Sequence, residues 1–159
     1  MRQFVRDHRT GVGIAGVATT LIVAWLAFGV FGVHLLFVDD RVSDERPAGA
    51  ETEATGAFVS RDHDTSGQAS VLVDGSGART LRFEELDTSN GPDLNVFLVP
   101  TGSDGVGDAI DLGDLAGNLG DQNYAIPDSV DLAVYDTVLI WCVRFSSPFG
   151  EALLRPVSS

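Results

Sequence analysis

After residue 38 the chain holds one cysteine (Cys142), one histidine (His63) and no methionine. Thiolate and imidazole are the side chains best suited to redox or transition-metal chemistry, so these two are the candidate site residues. Their scarcity excludes whole chemistries. A Cys/His structural zinc site, a four-cysteine iron–sulfur cluster and a two-histidine, one-cysteine copper site cannot be assembled within one chain. No Cys-x-x-Cys-His occurs, which excludes covalent c-type haem attachment, and one cysteine excludes an intrachain disulfide.

His63 sits in Asp62-His63-Asp64 with Ser66 close by. Adjacency in sequence does not make a triad, whose roles are set by geometry, and Asp, Ser, Thr and Gly are what solvated turns are made of. The acidic run Asp104, Asp108, Asp111, Asp114, Asn118 and Asp121 lacks both the EF-hand spacing and the glycine-rich calcium nonapeptide. It reads as a solvated loop, and no metal site is expected. Gly105 and Gly107 have no strand–turn–helix around them and are no nucleotide fingerprint. Nothing supplies a nucleophile, a base and an orienting group together, so the chain does not read as a stand-alone enzyme. Cys142 lies in the apolar run Thr137–Phe145. Alternation puts it on the face of Val138 and Ile140, opposite Leu139, Trp141 and Val143, where a lone cysteine is ordinarily a small core residue. A redox thiol would need access and a polar or cationic neighbour, and Arg144 is the cation nearest in sequence.

The elements that must position these residues are strands. From Gly56 onward the periodicity is two. Ala57–Ser60 and Gln68–Val73 read as strands, and Asp74-Gly75-Ser76-Gly77 has the residues of a tight hairpin. In Thr80–Glu84, Leu81 and Phe83 face a core while Thr80, Arg82 and Glu84 face water. Asp93–Val99 alternates likewise. Asp104–Asn123 reads as a Gly- and Asp-rich connection and Tyr124–Ile126 as a brief strand. Thr137–Phe145 is apolar on both faces, as in a buried central strand; Pro148 ends it and Ala152–Leu154 closes the domain. The expected fold is all-β, an antiparallel sandwich or barrel over residues 56–156.

The N-terminal part differs. Residues 11–38 carry no Asp, Glu, Lys or Arg, and Ile14–Phe37 would make about 36 Å of helix against a hydrocarbon core of roughly 30 Å. Apolar residues spread round that helix, and the run is too long for a cleaved signal peptide. A single transmembrane helix is expected. Arg2, Arg6 and Arg9 precede it while Arg41 and Arg46 follow, so residues 1–10 form a cytoplasmic tail and the C-terminal domain lies outside the cell membrane. Between them, Asp39–Thr55 holds six acidic residues in 17 and no aromatic, and composition predicts a disordered stalk. From Asp39 on, 22 acidic residues face 7 arginines, a surface that repels nucleic acid.

Several segments together resemble the DM-thirteen domain, an extracellular module found on membrane anchors in prokaryotes and beside DOMON domains in animal proteins. They are Gly56-Ala57-Phe58, His63–Ala69, Thr88–Leu94, Gly120–Tyr124 with Ile126-Pro127, and Val138–Cys142 followed by Phe145 and Phe149-Gly150. They run in the family's order across about 100 residues, Thr55 to Leu154. The resemblance implies an all-β fold and a role in electron transfer centred on Cys142, as a thiol or as ligand to a prosthetic group, with an envelope redox partner. Within one chain a non-covalent haem could take an axial ligand only from Cys142 or His63. The rival reading is a non-catalytic ligand- or protein-binding β-sandwich at the cell surface.

Overall fold

A computed structural model describes residues 16–30 and 38–157. The folded part is an antiparallel-rich β-sandwich of two open sheets, not a closed barrel. The strands are β1 (Arg41–Ser43), β2 (Glu51–Ala57), β3 (Val59–Ser60), β4 (Thr65–Val73), β5 (Arg79–Thr88), β6 (Leu94–Val99), β7 (Ile110–Asp114), β8 (Leu119–Ile126), β9 (Thr137–Cys142), β10 (Ser147–Leu153) and β11 (Arg155–Pro156). One sheet has the order β1-β8-β5-β4-β2-β11 and the other β3-β10-β9-β6-β7. All pairings are antiparallel except β1 with β8.

The alternation in the sequence builds the core. Ala69, Val71, Leu81, Phe83, Tyr124 and Ile126 from the first sheet meet Val96, Leu98, Val138, Ile140, Cys142 and Ala152 from the second. The β4–β5 hairpin turns at Asp74, whose carboxylate accepts from the Ser76 amide and hydroxyl. The Ser76 hydroxyl bond, then its amide, hold that exposed carboxyl below its ordinary pKa. β9 is the central strand of its sheet and all six of its residues are buried. Both faces are apolar because both are covered. Val138, Ile140 and Cys142 face the sandwich, while Leu139 and Trp141 pack with Phe97 and Val99 beneath Val106 and Ala109 of the connection after β6.

Several sequence expectations need correcting. The segment 39–55 is not a disordered stalk. Its composition is poor in apolar side chains, but it is ordered through its backbone: Arg41–Ser43 pairs with Leu119–Asp121, and Glu51–Ala57 lies between β4 and β11 with Ala54 buried. The folded unit therefore begins well before Gly56. Arg82 does not face water. Its side chain is 4 % exposed beneath this N-terminal strap, and it donates to Asp121, Glu84, Asn123 and the Asp44 carbonyl. Gly120 admits the strap: its φ is +96°, and a Cβ there would run into the Val42 carbonyl oxygen. The Asp104–Asn123 connection contains β7 and the start of β8. The apolar run ends as a strand at Cys142, and an exposed turn over residues 143–146 leads into β10, in which Pro148 lies at a bulge rather than at a break.

Residues 16–25 are α-helical and continue as a π-helical turn over Leu26–Val30. The apolar side chains Val17, Leu21, Ile22, Val23, Trp25 and Phe28 are all exposed. Among the described residues no helix is long and apolar enough to cross a membrane. Residues 11–15 and 31–37 of the expected span, and the 1–10 tail, lie outside the described residues.

Candidate functional site

Cys142 is the last residue of β9. It has no exposed surface, and its side chain belongs to the sandwich core, as alternation requires. In register it faces Leu94, the first residue of β6, on one side and Ser147, the first residue of β10, on the other. The next amide, Val143, donates to the Asp93 carbonyl at 2.9 Å. The thiol thus lies at one end of the sandwich, one residue inside its boundary with solvent. Arg144 is in the exposed 143–146 turn and not on the inner face beside the sulfur.

His63 is brought to the same end. Asp62, beside it, accepts from the Ser147 hydroxyl at 2.8 Å, and Ser147 is the register partner of Cys142. The His63 ring stacks on Phe149 with centroids 3.8 Å apart, and Phe149 is a member of the cluster that contains Cys142. Imidazole, phenyl ring and thiol are thus gathered at one end of the core. Thr65 locks this end. Its hydroxyl shares a 2.8 Å hydrogen bond with that of Thr88, lies 3.2 Å from the Phe149 carbonyl, and its amide donates to Ser60. Gly150 has to be glycine here, because a Cβ would lie 2.5 Å from the Thr65 Cβ.

A cleft of about 240 Å³ opens at this end between Asn90–Leu94 and Asp114–Asn118, with Asp40 on its rim. Leu94, the register partner of Cys142, lines it. Buried polar groups fix the far wall. Tyr124 donates to Gln122 at 2.5 Å and accepts from the Ala116 amide, while Gln122 exchanges hydrogen bonds with the Gly117 backbone. Burial pushes the Tyr124 hydroxyl up to about 12, with the Asp44 carboxylate adding to the rise and the Ala116 amide opposing it. Asn118 is 2 % exposed and ties three segments together: it donates to the Thr88 carbonyl and to Asp39, and it accepts from the Asp40 amide. Asp40, Asp93 and Asp114 line the cleft without a basic residue among its lining, so it is suited to neutral or cationic groups and not to anions.

The family model described as Electron transfer DM13 matches residues 57–154, more than half of the chain. The chain belongs to the Electron transfer DM13 family. No curated protein and no solved structure gives a match. Four of the five segments that carry the DM13 resemblance are far apart in sequence, yet they meet at the Cys142 end: Phe58 bonds Gly67, Thr65 bonds Thr88, Gly150 packs on Thr65, and Asp93 receives the Val143 amide. The fifth runs along β8 away from that end, with Ile126 opposite Arg79.

A prosthetic group ligated through Cys142 does not fit this DM13 domain as it is packed. The sulfur is enclosed by packed apolar side chains, and no buried side-chain nitrogen or oxygen among the described residues lacks a hydrogen-bond partner. His63 has one ring face covered by Phe149. No group of three or more His, Cys, Asp and Glu side chains placed to hold a metal ion occurs among the described residues. The acidic run is dispersed: Asp111 accepts from the Gly113 amide, Asp121 pairs with Arg82, and Asn118 is buried. Sequence reasoning missed Thr65, Thr88, Gln122 and Asn118 as organisers of this end. Thr65, Thr88 and Gln122 stand in the segments of the DM13 resemblance and Asn118 in the acidic run, but without a role, because short polar residues in a glycine-rich sequence look alike whether solvated or buried.

Proposed function

We propose that this DM13 chain is a membrane-anchored extracytoplasmic module that passes electrons to or from an envelope partner, with Cys142 as its redox centre. The observation that carries it is the Electron transfer DM13 match over residues 57–154, which contains the chain's one thiol. The anchor is supported by the charge-free run 11–38 and by apolar side chains exposed round the helical residues 16–29. The three arginines before the run favour a cytoplasmic N-terminus.

A step open to a lone thiol is exchange with a disulfide-bearing partner. The Cys142 thiolate attacks one partner sulfur, a Cys142–partner S–S bond forms, and the second partner sulfur leaves as a thiolate. That chemistry requires the strand end to open, since the sulfur is enclosed. The same enclosure favours a second reading, in which Cys142 is core and the cleft lined by Leu94 holds a ligand or a protein segment.

The test uses the full chain purified from its native host. The electron-transfer reading expects partner reduction or oxidation that is lost in Cys142→Ala while the fold is retained. Unchanged electron transfer in that variant would overturn Cys142 as the redox centre, and partner binding without electron transfer in either form would leave the binding reading. An alkaline phosphatase fusion at Ser159 should be active if the domain is exported, and an inactive fusion would overturn the orientation.

A further inference from the structure

The geometry points to the Cys142 end of the sandwich as a membrane-facing surface, with Val143 and Phe145 in contact with the lipid of the bilayer that anchors the chain. This rests on the anchor reading above and goes further, because an anchor alone says nothing of which face of a domain meets the membrane.

Chain connectivity supplies the first argument. The charge-free run ends at Val38, and the folded domain begins at the same residue. The Val38 carbonyl accepts from the Asn90 side chain at 2.7 Å, the Asp40 amide donates to Asn118 at 2.7 Å, and the Leu119 amide donates to the Asp40 carbonyl at 3.1 Å. Where composition predicts a stalk of 17 residues there is no slack. The Asn90 loop thus touches the last residue of the charge-free run itself.

The second argument is the surface found there. Three residues beyond Asn90, at most about 11 Å of chain, the Asp93 carbonyl holds the Val143 amide at the start of the 143–146 turn. That turn exposes Val143 at 46 % and Phe145 at 54 %, and Val38 is 47 % exposed. Apolar and aromatic side chains on a protruding turn gain little in water but are favoured at a lipid headgroup boundary. Val134, equally exposed at 49 %, lies at the opposite end, where the β9 register begins at Thr137, and serves as the control. Asp39, Asp40 and Asp93 at the membrane-facing end outnumber Arg144 of the turn and disfavour a strongly anionic leaflet, so zwitterionic lipid is the probe.

The full chain is reconstituted in phosphatidylcholine vesicles with a small fluorophore at Phe145→Cys, at Val143→Cys or, as control, at Val134→Cys. Labelling is brief, with the wild type as blank, because Cys142 is enclosed. Lipids with a spin label near the headgroup should quench the labels at positions 143 and 145 several-fold more than the label at 134. Equal quenching at all three positions in a chain that resists alkaline carbonate extraction overturns the inference and leaves the anchor standing. Release of the chain by carbonate overturns both. Self-quenching at positions 143 and 145 without lipid quenching would assign the surface to a second copy of the chain and overturn the lipid contact.

Discussion

If Cys142 is a redox thiol, its reaction with a small aromatic disulfide reagent has to be limited by a local opening of the β9 end and not by unfolding of the domain. Exposure requires the Val143–Asp93 hydrogen bond and the strand-end pairing of Cys142 with Leu94 and Ser147 to break. Three or four hydrogen bonds at a net of about 1 kcal/mol each put that opening near 3–4 kcal/mol. At 1.4 kcal/mol per tenfold, labelling should run about 10²–10³ slower than in the unfolded chain. Global unfolding, at about 5 kcal/mol or more, would slow it by roughly 10⁴ or beyond. The assay follows reagent release against urea at low concentration. Local opening gives a rate nearly independent of urea, whereas global opening gives a slope equal to that of equilibrium unfolding. A rate that tracks global unfolding would refute the thiol as redox centre, and immediate labelling would refute its burial. Cys142→Ala should cost about 1 kcal/mol, as expected for a small buried group, and Cys142→Ser should cost more, about 1–3 kcal/mol, because a hydroxyl there has no partner.

Three further outcomes follow from the packing. Tyr124 is neutral in the fold with its pKa pushed up to about 12, so its stabilising contribution is complete below the unfolded value near 10 and is lost between about pH 10 and 12; at roughly 1.36 kcal/mol per unit, Tyr124→Phe should flatten up to about 2.7 kcal/mol of alkaline destabilisation in pH-dependent urea melts. Gly150→Ala drives a Cβ to 2.5–2.7 Å from Thr65 and should lower stability by about 1–3 kcal/mol in a thermal melt, whereas Gly75→Ala, with nothing within 4 Å, should be close to neutral. A chain starting at Val38 should melt cooperatively, while one starting at Gly56 lacks β1 and most of β2, uncovers the edge of β4, and should lose about 3 kcal/mol or more, some 10 °C in Tm.

What was legible in the sequence followed from side-chain alternation. The inward set Leu81, Phe83, Val96, Leu98, Val138 and Ile140, the Asp74 hairpin, and the face on which Cys142 lies all come from a period of two with turn residues between. That β9 would be covered on both sides was readable too, although the cover, Val106 and Ala109, comes from a stretch whose glycines and aspartates hid it. The sequence singled out Cys142 and His63 as candidates but not that the fold brings them to the same end. Their approach depends on Ser147 and Phe149 of β10, and register between strands is not written in either strand alone.

The strap over Arg82 was illegible for a different reason. A segment such as 39–55 is read as disordered because it offers almost no apolar area to offset its ordering entropy. Its order comes instead from groups that composition does not count. Its backbone completes the edge of β8, its Asp44 carboxylate accepts from the Asn123 amide, and its Asp44 carbonyl accepts from the Arg82 guanidinium. Arg82 in turn looked solvated because alternation assigns it to the outer face, and it does point outward; the strap is what buries it. A charged guanidinium at 4 % exposure is tolerable only when its donors are matched, and here Asp121, Glu84, Asn123 and the strap carbonyl match them. The N-terminal strap and the buried arginine of β5 thus account for each other: the strap's Asp44 carbonyl takes one of the guanidinium's donors, and Arg82 in turn helps hold the strap along β8.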